Sequence, residues 1–77
     1  MERKPVRSFE DADQNIWDVS LGRESWGTLV LLFARRQGDE VRKTILASET
    51  ALEAQGELDT LTEEELRERL ARSQPWG

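Results

Sequence analysis

The chain has no cysteine, no histidine and no tyrosine among its 77 residues. Without cysteine there can be no disulfide, no thiolate metal site and no thiol nucleophile. Without cysteine or histidine, zinc, haem and iron–sulfur centres built on those ligands are excluded. The commonest general base is missing as well. Ser8, Ser20, Ser25, Ser48 and Ser73 have no base beside them in sequence, so no activated nucleophile is visible. No catalytic residue, cofactor or metal is expected. Long apolar runs are also absent. The longest, Leu29 to Ala34, falls far short of the roughly 20 residues that cross a bilayer. The opening Met-Glu-Arg-Lys-Pro is charged and leads into no apolar segment of the signal-peptide kind. Positive charge is in deficit: the net charge is −5, which disfavours general affinity for nucleic acid or anionic lipid. A cysteine-free acidic chain fits a cytoplasmic location.

What is present is one small domain, residues 1–77. Domains of this size bury a low fraction of their surface and often rely on disulfides, a metal or a partner. With the first two excluded, oligomerisation remains. Residues 1–5 read as a flexible basic lead-in, 6–47 as a sheet, 48–74 as helices and 75–77 as a tail. Val6 to Glu10 is a short strand candidate. Asp11-Ala-Asp-Gln-Asn15 is a polar turn whose side chains bond their own backbone. From Ile16 to Leu21 the pattern alternates: Trp17, Val19 and Leu21 point one way, Ile16, Asp18 and Ser20 the other. A three-residue loop at Ala12 to Gln14 sets Phe9 opposite Trp17. The connection Gly22 to Gly27 leads to a second hairpin.

In that hairpin the first strand, Thr28 to Ala34, is apolar on both faces. A two-residue type II′ turn at Gly38-Asp39, with positive φ at glycine, pairs Arg36 with Val41 and Leu32 with Ile45. One stripe then holds Val30, Leu32, Ala34, Val41, Ile45 and Ala47. The other holds Leu29, Leu31, Phe33 and Leu46. Helical spacing follows. Ser48 is a candidate N-cap, and Ala51, Ala54, Leu58 and Leu61 recur on one side. Thr62-Glu-Glu-Glu65 is a capping box, with Leu61 and Leu66 as its hydrophobic staple. Glu63 with Arg67 and Glu65 with Arg69 are favourable i,i+4 pairs. Gln74-Pro75 ends the second helix. The expected fold is α+β: a four-stranded antiparallel meander, then two helices packed on one sheet face.

Asp11-x-Asp13-x-Asn15 opens like a calcium loop, but the EF-hand pattern wants glycine sixth and glutamate twelfth. Those places hold Ile16 and Gly22. The loop is read as a solvated hairpin tip. Glu63, Glu64, Glu65 and Glu68 are read as dipole-favoured acids of a helix start. Two binding surfaces are weighed. The first is a protein interface of Trp26, Leu29, Leu31, Phe33 and Leu46, on the assumption that the helices cover the Val30–Ile45 stripe. Its partner is a second copy or another protein. The second is a nucleic-acid patch of Arg23, Trp26, Arg35, Arg36, Arg42 and Lys43. The order of four strands then a helix is similar to that of Whirly-type and related single-stranded-DNA-binding coactivator domains. That likeness implies a stacking platform beside basic residues. The leading expectation is a non-enzymatic binding or accessory module, with single-stranded nucleic-acid binding as the alternative.

Overall fold

A computed structural model describes residues 7–24 and 27–76. The lead-in of residues 1–5, Val6 and Trp26 fall outside the described residues. The elements run β1 (Arg7–Glu10), β2 (Ile16–Arg23), β3 (Leu29–Arg35), β4 (Val41–Ile45), α1 (Ala51–Thr60), α2 (Glu63–Ala71) and β5 (Gln74–Pro75). The five strands form one antiparallel sheet in the order β1-β2-β3-β4-β5. The meander followed by two helices is therefore as expected. The fifth strand, formed where a tail is expected, is an addition.

The first hairpin follows its sequence closely. Phe9 stands opposite Trp17. The Asp11 amide donates to the Asn15 carbonyl at 2.9 Å and closes the three-residue loop. Gln14 adopts φ 70° to complete it, the left-handed residue that loops of this length require. The connection from β2 to β3 turns on Gly27 at φ 84°. There the Gly27 amide donates to the Glu24 carbonyl at 2.9 Å.

The second hairpin departs from expectation by two residues. Val41 pairs with Ala34, and Ile45 with Val30. The Arg35 amide donates to the Glu40 carbonyl at 3.0 Å, leaving a longer loop between those two residues. Among the described glycines only Gly27 has positive φ, so the type II′ turn at Gly38 does not form. A two-residue shift preserves side-chain parity, so each stripe keeps its members on β3 and β4.

Which stripe is covered is the reverse of the expectation. Leu29, Leu31, Phe33 and Leu46 are buried with Phe9, Trp17, Val19, Ala54, Leu58, Leu61 and Leu66 in a single core. Phe9 and Phe33 meet edge-to-face, with centroids 6.0 Å apart and planes at 83°. The cause is the register of β2 on β3. Val19 pairs with Phe33 and Leu21 with Leu31, so the one apolar stripe of β2 shares its side with the odd residues of β3. The opposite stripe of β2 carries Asp18 and Ser20, which the helices would have to desolvate. Burying Trp17, Val19 and Leu21 instead gains roughly 1.5–3 kcal/mol per large side chain.

The helices begin and end where local chemistry places them. α1 is capped by Thr50 rather than Ser48, its side chain accepting from the Glu53 amide. The capping box of Thr62 and Glu65 is fully formed. Arg67 pairs with Glu63 as expected, at 3.1 Å, but Arg69 turns to Glu57 of α1, also at 3.1 Å, and not to Glu65. Arg7 donates to the carbonyls of Leu58 and of the C-cap Leu61, tying β1 to the end of α1. Arg67 donates from Nε to the Glu10 carbonyl at 2.7 Å, which covers an outward-facing group of the β1 edge. Helix α2 stops at Ala71, and Gln74-Pro75 forms β5 on the edge of β4.

Candidate functional site

The face of the sheet turned away from the helices is built in rows. Ser8, Asp18, Ala34 and Val41 form the first, and Ser20, Leu32, Lys43 and Gln74 the second. Gly22, Val30 and Ile45 form the third. The β1–β2 side of this face is polar. Asp18 accepts from Ser8 Oγ at 2.7 Å and from Arg36 at 2.6 Å. Its carboxyl is held below the ordinary value first by the Arg36 hydrogen bond and then by Ser8, against a smaller opposing effect of burial.

The β3–β5 side is mostly apolar, with Lys43 and Gln74 in its middle row and Val30 fully buried in the third. Leu32, Ala34 and Val41 are part-exposed. Ile45 is 57% exposed and Trp76 42%. Trp76 joins this side because its amide donates to the Val41 carbonyl at 2.9 Å, and Lys43 Nζ sits 5.3 Å from its ring centroid, within cation–π range. Lys43 also pairs with Glu24. Gly22 completes the surface. A Cβ there would lie 2.6 Å from Leu32 Cδ1, so only glycine lets Leu32 lie across β2.

Of the residues expected to form a protein interface, Leu29, Leu31, Phe33 and Leu46 are core residues beneath the helices. They offer no open surface, and Trp26 lies outside the described residues. The signal that assigns the faces was in the sequence: β2 is apolar on one side only, so its Trp17 stripe marks the covered side. Val41, Ile45 and Leu32 are the residues that this signal would have selected; Trp76 joins them only through the pairing of its segment with β4.

The described residues of the nucleic-acid patch do not gather on one face. Arg35 shares a row with Trp17 on the helix side of the sheet, whereas Arg36 reaches Asp18 on the other. Arg42 and Lys43 diverge in the same way. Arg42 donates from Nε to Ser73 Oγ and from a terminal nitrogen to the Ser73 carbonyl, each at 2.7 Å. Arg23 stands opposite Leu29, six residues along β2 from Trp17 and Arg35. At about 3.4 Å per residue that is about 20 Å. Arg35 and Arg42 both meet Glu40, at 3.7 and 3.3 Å.

The acidic turn is spent on its own structure. Asp11 Oδ1 accepts the amides of Asp13 and Asn15 at 2.8 and 2.9 Å. Its Oδ2 accepts the Trp17 indole at 2.8 Å. Among the described residues no group of three or more metal-ligating side chains occurs, and no helix is long and apolar enough to cross a membrane. Compared with known proteins, the chain matches no family model, no curated protein and no solved structure.

Proposed function

We propose that this chain is a small non-enzymatic module that acts through protein contacts, in the first place with a second copy of itself across the open sheet face. The observation that carries the reading is the apolar side of that face. Ala34, Val41 and Trp76 lie at one end of it and Leu32 and Ile45 toward the other, and Ile45 and Trp76 keep 57% and 42% of their surface exposed. Exposed apolar side chains clustered on one face mark interaction sites more often than singly scattered ones do. The Asp18–Arg36 ion pair lies at its β2 side, and Lys43, paired with Glu24, lies within it between Val41 and Ile45. The lack of cysteine fits the cytoplasm as the proposed location.

Sedimentation equilibrium tests the reading. The parent chain is expected to dimerise, and Ile45→Asp to be monomeric with unchanged circular dichroism. Leu52→Asp, at an 84%-exposed site on α1, is expected to leave the dimer intact. A parent chain that stays monomeric at high concentration would overturn self-association.

A further inference from the structure

β5 holds the sheet by far less than any other strand does. It is two residues long, with Gln74 opposite Lys43 and Pro75 opposite Arg42. Beyond it the Trp76 amide donates to the Val41 carbonyl at 2.9 Å. Gln74, Pro75 and Trp76 are all exposed. Because Trp76 bonds toward β4, antiparallel alternation turns the Pro75 nitrogen outward. A proline there removes no ladder hydrogen bond. What anchors the segment lies just before it. Ser73 is buried, and Arg42 grips both its hydroxyl and its carbonyl at 2.7 Å. The chain is thus fixed at Ser73 and held beyond it by a short ladder and one aromatic contact with Lys43.

Segments with few buried contacts open at low free energy. When residues 74–76 lift away, Val41 and Lys43 present outward backbone groups, an edge suited to strand addition. The same motion removes the indole from Lys43. We propose that residues 74–76 are a strap over a strand-acceptor site on β4. The site takes in trans an extended segment of the strap's own chemistry, with backbone bonded to Val41 and Lys43 and an aromatic side chain against Lys43 Nζ. This inference goes beyond the sheet-face contact, with which it shares Trp76.

The test uses a chain that stops after Ser73 and a synthetic peptide of residues 71–77, followed by amide chemical shifts in an isotope-labelled sample. Saturable shifts are expected at Val41 to Lys43 of the shortened chain. In the full chain they should be at least tenfold weaker, because the strap competes. A peptide carrying Trp76→Ala should also bind at least tenfold more weakly. Absence of shifts at Val41 to Lys43 in the folded shortened chain would overturn the proposal. So would equal binding to both chains, or indifference to the tryptophan. Should the shortened chain not fold, full-length Trp76→Ala with its strap loosened serves instead. There the parent peptide must bind more tightly than it does to the unaltered chain.

Discussion

The Trp17 indole donates to Asp11 Oδ2 at 2.8 Å, which ties the first hairpin loop to a buried core residue. The loop and the core therefore share one carboxylate. Asp11→Ala would leave the indole N–H at the edge of the core without its acceptor and remove the bonds to Asp13 and Asn15. An unsatisfied buried donor costs about 1–3 kcal/mol, and the urea midpoint at neutral pH is expected to fall accordingly. An unchanged midpoint would mean that water replaces the carboxylate without loss.

The same carboxylate makes stability depend on acid. The Asp11 carboxyl is held below its ordinary value, first by the Trp17 hydrogen bond. Asp18 is lowered likewise, first by Arg36. The folded state therefore binds protons less readily than the unfolded chain does. Both groups contribute stability that is fully present above pH 3.8 and is lost as the pH falls through their lower folded-state values. Urea midpoints measured from pH 5 downward should fall more steeply in the parent chain than in Asp11→Asn, which has no carboxylate to titrate at that site. Parallel slopes would remove Asp11 from the account.

Gln14 sits at φ 70°, a conformation that costs a side chain with a Cβ roughly 1–2 kcal/mol. Gln14→Gly is expected to raise stability by about 1 kcal/mol in chemical denaturation. The gain is partly offset by glycine's greater freedom in the unfolded chain. A lower midpoint would show that the Gln14 side chain holds the loop in some further way.

Phe33 is fully buried at the centre of the core. Phe33→Ala should cost about 3–5 kcal/mol. A chain of 77 residues has about 4–12 kcal/mol to lose at 0.05–0.15 kcal/mol per residue. The variant is therefore expected to be largely unfolded or close to it at 37 °C by circular dichroism. Retained folding with altered self-association would return Phe33 to the surface role first read from the sequence.

Gly22→Ala would set a methyl 2.6 Å from Leu32 Cδ1 and 2.9 Å from Leu32 Cγ. Those atoms belong to a side chain that is part-exposed and can swing away. The stability cost should sit at the low end of overpacking, about 1 kcal/mol. Displacing Leu32 reshapes the open face, so dimerisation should weaken by more than stability does. Equal association of parent and variant, measured by sedimentation, would place the contact elsewhere.

Much of the fold was legible because local chemistry decides it. The alternation in β2 and the Asp11 turn placed Phe9 opposite Trp17. The Thr62–Glu65 capping box located the start of α2 to the residue. The second hairpin was less legible, since Gly38-Asp39 satisfies a two-residue turn on paper. The longer loop between Arg35 and Glu40 forms instead, and the pairing of Ala34 with Val41 rests on β3 and β4 together. Glu57 lies too far along the chain from Arg69 for helical spacing to pair them. The basic residues misled for a related reason: neighbours in a strand point to opposite faces, so Arg35 and Arg36, or Arg42 and Lys43, cannot gather on one surface.

By itself the sequence determined the four strands of the meander, the two helices and the two stripes that divide the residues of β3 and β4. It could not choose between those stripes by looking at β3 and β4 alone, because both are apolar. The choice was made by pairing with β2, whose single apolar stripe admits only one side to the core. Tertiary structure also folded Gln74 to Trp76 back onto β4. Two strand residues carry no periodicity of their own, and only an available edge gives them a place.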